Sequence, residues 1–106
     1  MISVEERKHR QKTIKRFLKE VGLFHEFCNC IKKKRGTLSP KPFETINYDC
    51  YPSDVIMCSF GWNTSNFRGW CDIYQYLSWY GVNYNGLMED GVITDVKNII
   101  NRRCKK

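Results

Sequence analysis

The stretch SVEERKHRQKTIKRFLKEVG, from Ser3 to Gly22, decides the fold class because it carries every signal of one amphipathic helix. Ser3 followed by Glu6 forms a capping box, which predicts that a helix starts at Val4. An apolar stripe then runs along its second half, and Gly22 ends it. The members of this stripe are Ile14, Phe17, Leu18 and Val21.

Lysines line the opposite side of this helix, since Lys8, Lys12, Lys15 and Lys19 fall together at ~100° per residue. Solvation alone explains a lysine face of this kind, and contact with an anionic partner is the alternative. Arg7 and Arg10 differ, because they continue the apolar side into a turn that has nothing apolar to bury. They are expected either to pair with acids of the middle segment or to project toward a partner.

A second helix is predicted after Gly22, with an apolar stripe made of Phe24, Phe27, Cys28 and Ile31. Four basic residues close it, namely Lys32, Lys33, Lys34 and Arg35. Cations at a helix C-terminus complement the helix dipole, so these residues have a structural explanation beside a contact with a partner. The segment 37–42, with prolines at both 40 and 42, is predicted to be a loop.

The middle of the chain leaves alternatives open. Residues 46–51 are consistent with a short strand or an extended connector, and residues 55–60 with a strand or with a helix capped by Ser53. A helix is expected from the polar turn 63–66 to about Tyr80, with a core stripe of Trp70, Ile73, Tyr74 and Leu77.

Asn85-Gly86 and Asp90-Gly91 are turn signals that a small hairpin would use, and a last helix is expected from Thr94. The chain is thus predicted to be mainly α, a small single domain over 1–106 with three to four helices and room for one short β-hairpin. Its parts are a basic helical segment 1–36, the loop 37–42, an aromatic core segment 43–101 and a basic tail 102–106.

Charge is distributed unevenly over the 106 residues, whose formal net charge is +7. Residues 1–36 carry eleven Lys and Arg against four acids, the segment 37–101 carries three against seven, and 102–106 adds four. Such a balance favours anionic partners, meaning nucleic acid, an acidic protein face or an anionic membrane. Neither a signal peptide nor a membrane-length apolar run is found, so a cytoplasmic protein without a membrane partner is expected.

The six cysteines raise two further hypotheses. In a reducing cytosol free thiols are the default, with three disulfides as the alternative. His25, Cys28 and Cys30 resemble a set of metal ligands, but no CxxC pair accompanies them, and a thiol on the apolar stripe is the simpler explanation for Cys28. We therefore expect neither a metal nor a cofactor.

Catalysis is not expected, because the only candidate bases for a cysteine nucleophile are His9 and His25 and no known site motif is present. Binding of single-stranded nucleic acid would need aromatic and cationic side chains on one surface, whereas the sequence separates them. Four aromatic residues lie off the core stripe and are candidates for an exposed protein-binding patch, namely Phe67, Tyr76, Trp79 and Tyr80.

The segment 52–73 resembles a pattern found in small proteins encoded by bacteriophages and prophages. In that pattern a proline starts a short helix and a Ser/Ala-Phe-x-Trp unit closes it. A Thr/Ser turn follows, and a second aromatic helix carries Trp-x-x-Ile. The matching residues here are Pro52, Ile56, Ser59, Phe60, Trp62, Ser65, Trp70 and Ile73. The turn departs from the pattern, with Asn66-Phe67-Arg68-Gly69 where a Glu-Gly or Gln-Gly pair is usual. The resemblance implies a helix over 55–60 and a phage-like origin, and it implies no reaction.

Phage proteins of this size commonly act by occupying a surface on a host machine, an analogy that gives the leading expectation for function. By that analogy the chain inhibits a host nucleic-acid-handling or defence complex, such as a CRISPR-type machine, through a basic surface. The residues expected to make contact are Arg7, Lys8, Arg10, Lys12, Lys15, Lys19 and 32–35. The alternative is a small regulator whose first helix binds DNA or RNA phosphates directly.

Overall fold

A computed structural model describes residues 2–35, 46–59 and 69–104, apart from the side chains of 31–35, 58–59 and 104. These residues form five helices: α1 (Val4–Val21), α2 (Phe24–Arg35), α3 (Pro52–Ser59), α4 (Trp70–Trp79) and α5 (Asp90–Cys104). The prediction of a mainly helical fold is confirmed, whereas the prediction of three to four helices is too low. The expected loop 37–42 lies outside the described residues.

Helix α1 begins and ends where its sequence signals place it. The Ser3 hydroxyl accepts a hydrogen bond from the Glu6 amide at 3.1 Å, and Gly22 adopts the left-handed conformation at φ 82°. The amide of Leu23 then reaches back to the carbonyl of Leu18 at 2.9 Å, which closes the helix. The predicted apolar stripe of α1 is buried throughout.

The core lies where the helices meet. Helix α1 packs on α2 and α5, α3 packs on both α2 and α4, and α4 also contacts α5. Trp70 and Phe27 join α4 to α2, with their ring centroids 5.8 Å apart and both side chains buried. Tyr48, from the connector before α3, is also fully buried in this cluster.

The structure of residues 46–59 distinguishes between the strand and non-strand alternatives that the sequence left open. Residues 55–59 are helical, so the strand alternative is wrong, but the helix starts at Pro52 and Ser53 is buried inside it instead of capping it. Proline suits the first position of a helix because its missing amide would have no partner there. Residues 46–51 form a turn-rich connector with no strand among them.

Two details of the predicted stripes are wrong. In α2 the fully buried thiol belongs to Cys30, whereas Cys28 is half-buried, so the core-facing side is rotated toward Cys30. In α4 the buried residues are Trp70, Ile73 and Leu77, and Tyr74 is only partly buried. Helix α4 starts at Trp70, and the polar turn that was expected to cap it lies outside the described residues.

No hairpin forms between α4 and α5, and none of the described residues lies in a strand. The Asn83 side chain accepts hydrogen bonds from the amides of Asn85 and Gly86 at 3.0 and 3.1 Å, so this turn signal serves a connection between two helices. Helix α5 starts at Asp90, four residues before Thr94, because Val92 and Ile93 are buried against the core and draw the chain into helix earlier.

Candidate functional site

The basic face of α1 consists of four exposed side chains: Lys8, Lys12, Arg16 and Lys19. Neighbours four residues apart on a helix have Cβ atoms about 5–6 Å from one another, so the charges form a continuous row. Lys15 flanks this row and is partly buried. Arg16 was missed as a site residue, although its spacing of four from Lys12 is the signal that would have found it.

Acids do not cancel the charge of this face. Two of the three acids of α1 are engaged elsewhere, since Glu6 pairs with Arg10 and Glu20 pairs with Lys97 of α5 at 3.8 Å. The third, Glu5, lies in the first turn, where a negative charge favours the helix dipole. The basic face therefore keeps a net positive charge.

Arg10 does not belong to this face, because its guanidinium is bonded within the protein. Its Nε donates to Glu6 Oε1 at 3.0 Å, and its Nη1 donates to the carbonyl of Tyr48 at 2.6 Å. The same group lies 4.7 Å from the centroid of the Tyr84 ring. Arg10 was expected either to pair with acids of the middle segment or to project toward a partner. It bonds within the protein, but to Glu6 and to the Tyr48 carbonyl instead of to acids of the middle segment.

Tyr84 completes this internal network. Its hydroxyl donates to the carbonyl of Cys50 at 2.8 Å. Burial raises the pKa of Tyr84, and the opposing effect of the nearby Arg10 charge is smaller, so the phenol stays protonated and remains a donor. Arg10 and Tyr84 thus fix the connector 46–51 against α1.

Arg7 lies beside a small cavity of about 310 Å³ between the start of α1 and that connector. The cavity is also lined by Ile2, Tyr48 and Asp49, and the Ile2 amide donates to Asp49 Oδ1 at 3.2 Å. The Arg7 side chain is exposed at its rim.

A second surface, the aromatic groove, is an open depression of about 1210 Å³ between α4 and α5. Trp79 and Tyr80 are 84% and 68% exposed, and the ring of Tyr76 lies 5.0 Å from that of Tyr80. The main lining residues are Tyr74, Tyr76, Trp79, Tyr80, Arg102 and Arg103. Arg102 and Arg103 are more than twenty residues from the aromatic residues of α4 in the sequence, and folding brings them together.

Polar contacts hold the two walls of the aromatic groove together. The Tyr76 hydroxyl donates to Asp95 Oδ2 at 2.6 Å, and Arg103 Nε donates to Asp72. Desolvation, followed by the hydrogen bond to Asp95, raises the pKa of Tyr76 to about 12, so this hydroxyl remains a donor near neutral pH. The two contacts join α4 to α5 at two positions along the helices.

Some of the predicted site residues cannot be placed. The side chains of Lys32, Lys33, Lys34 and Arg35 are not described, although α2 includes all four in its last turn. Phe67 lies outside the described ranges. By contrast, Arg103 was missed as a site residue, and its spacing of four from the buried Ile99 indicates that both lie on one side of α5.

The candidate metal ligands do not gather in the described part of the chain. No three His, Cys, Asp or Glu side chains there lie close enough to hold an ion. Four of the cysteines have described side chains and none of these four forms a disulfide, namely Cys28, Cys30, Cys50 and Cys71. The Cys30 thiol is hydrogen-bonded to Glu26 Oε1 at 3.6 Å.

Over the described ranges, no helix combines the length and the apolar character that crossing a bilayer requires. No protein-family model matches the chain. Likewise, no curated protein and no solved structure is significantly similar to it.

Proposed function

We propose that this chain is a non-enzymatic binding protein of the bacterial cytoplasm that docks the basic face of α1 on an anionic surface of a host protein or nucleoprotein complex. In this proposal, docking inhibits a nucleic-acid-handling or defence machine, for example one of the CRISPR type. The resemblance of 52–73 to phage-encoded proteins supports the choice of a host target, and the mode of action is argued by analogy. No cofactor or metal takes part.

The observation that carries the proposal is the row of outward-facing charges on α1. The row extends over twelve residues from Lys8 to Lys19, a length of about 16 Å at a rise of ~1.5 Å per residue. Because Glu6 and Glu20 are paired away from it, an acidic groove or a phosphate backbone would meet positive charge along this whole length. Charge complementarity of this kind mainly raises the rate of association and selects the partner.

Reversing the basic face should abolish binding to the host complex. A variant with Lys8, Lys12, Arg16 and Lys19 all changed to Glu should recover no defined complex from the native host. The single change Lys12→Glu should weaken binding at least tenfold, or about 1.4 kcal/mol. The measurement is affinity purification with the purified chain, followed by titration of the recovered complex.

The matched control is Lys105→Glu, which alters net charge by the same amount as Lys12→Glu but lies in the basic tail 102–106, far from α1 in the sequence. It should bind like the natural sequence. Equal loss in both variants would mean that overall charge, and not this face, drives binding, and full recovery with the fourfold variant would remove α1 from the interface. Circular dichroism melting checks that each variant is folded.

Direct binding of nucleic acid by the same face is the second candidate function. The length of the charge row favours it, since a face of about 16 Å is long enough to contact several phosphates. Four such contacts would make the affinity fall by roughly 10²-fold between ~50 and ~200 mM salt.

Fluorescence anisotropy with labelled duplex and single-stranded oligonucleotides measures this salt dependence. The second candidate predicts binding at ~50 mM salt that disappears in the fourfold variant. No binding of either oligonucleotide at that salt concentration would reject it and leave an acidic protein surface as the target.

A further inference from the structure

We infer that the aromatic groove between α4 and α5 is a self-association site, in which two copies of this chain pack groove to groove about a two-fold axis. This surface is separate from the basic face, because α5 lies between the two. Lys97 reaches Glu20 of α1 from one flank of α5, and Asp95 reaches Tyr76 of α4 from the other. Self-association therefore does not depend on the function proposed for α1.

The aromatic content of the groove is the first argument. Trp79 is 84% exposed and Tyr80 is 68% exposed, side by side at the end of α4, with the Tyr76 ring against Tyr80. Trp, Tyr and Arg are the residue types that are enriched in protein interfaces and that supply most of their binding energy. Burying the Trp79 ring against another protein would remove a large apolar surface from water.

The charge of the groove identifies the kind of partner. Two acids and two guanidinium groups surround it, Asp72 and Asp95 against Arg102 and Arg103, whereas the chain as a whole carries +7. A polyanion is attracted to the basic face and gains little from a balanced surface. Two copies of a chain of this charge repel each other least where each presents a neutral patch.

The spacing of these charges fits a two-fold contact. Asp95 and Arg102 are both exposed and lie seven residues apart on α5, which is two helical turns or about 10.5 Å along one side of the helix. If two α5 helices cross antiparallel, Asp95 of each copy lies opposite Arg102 of the other. An isologous interface requires this reciprocity, because one patch must complement itself.

Sedimentation velocity over micromolar to millimolar concentrations tests the proposal on the full chain. We expect a reversible monomer–dimer equilibrium, and Trp79→Ala should raise its dissociation constant at least tenfold. Lys12→Glu should leave the monomer–dimer equilibrium unchanged. The test of dimerisation through the aromatic groove is therefore independent of the test of host binding through the basic face of α1. A chain that is monomeric at every concentration would overturn the proposal.

An exchange of charges then tests the predicted pairing. Asp95→Arg and Arg102→Asp should each prevent dimerisation, because each places like charges opposite one another at both ends of the contact. An equimolar mixture of the two variants should dimerise again, since every Arg now faces an Asp in the other chain. The double variant should also dimerise.

The rescue separates an interface effect from a folding defect, because a misfolded variant is not restored by mixing. Failure of the mixture and of the double variant to dimerise would overturn the two-fold pairing. Retention of the dimer by both single variants would do the same.

Discussion

Replacing Trp70 with alanine is expected to lower the free energy of unfolding by roughly 3 to 5 kcal/mol, the range for truncating a large aromatic side chain in a core. Trp70 is only 2% exposed and opens α4. Its ring contacts that of Phe27, which is fully buried in α2. The truncation therefore opens a cavity between two helices, and neither helix can close it without losing other contacts.

Urea unfolding followed by circular dichroism measures this loss, and Trp79→Ala is its matched control. Both variants remove an indole from α4, but Trp79 is 84% exposed and its truncation should change stability by about 0.5 kcal/mol or less. The comparison is made at concentrations where the chain is monomeric. A free energy of unfolding that Trp70→Ala leaves unchanged would mean that this side chain is outside the core.

The ends of α1 could be predicted from the sequence because their signals are local. Ser3 and Glu6 satisfy amides within one turn, and Gly22 supplies a conformation that other residues rarely adopt. The sequence also predicts the burial of Trp70, Ile73 and Leu77, since three- and four-residue spacing defines one side of a helix. In each case the deciding interaction is close in sequence.

The errors arose where packing outweighs a local signal. Asp90-Gly91 is a good turn sequence, yet the burial of Val92 and Ile93 extends α5 through it. In α2 the apolar pattern favoured Cys28 over Cys30, but the side that meets the neighbouring helices places Cys30 inward. Periodicity locates an apolar side only to within about one residue, and contacts from other helices set the final rotation.

The aromatic groove could not be predicted from the sequence, because its polar contacts join distant positions. Asp72 and Arg103 are 31 residues apart, and Tyr76 and Asp95 are 19 apart. Asp72, Arg102 and Arg103 each have a local explanation as a charge that complements the dipole near the end of its own helix. Only the packing of α4 on α5 brings these charges to the aromatic groove.

Arg10→Met is expected to lower the free energy of unfolding by roughly 1.5 to 3 kcal/mol, because hydrogen bonds to a charged group are worth about that much. Methionine keeps most of the aliphatic stem but donates neither to Glu6 nor to the Tyr48 carbonyl. That carbonyl belongs to the connector 46–51, whose Tyr48 side chain is fully buried. The loss should therefore loosen the attachment of this connector to α1.

Lys8→Met is the control, since it removes a charge from the same helix at an exposed position and should change stability by about 0.5 kcal/mol or less. Equal urea midpoints for the two variants would mean that the Arg10 contacts contribute nothing measurable. A lower midpoint for Arg10→Met alone would show that Arg10 acts within the fold. A charge reversal at Arg10 would then disturb folding, and a loss of binding in that variant could not be assigned to the interface. Lys12 and Arg16 are exposed on the basic face and are the better positions at which to test the interface.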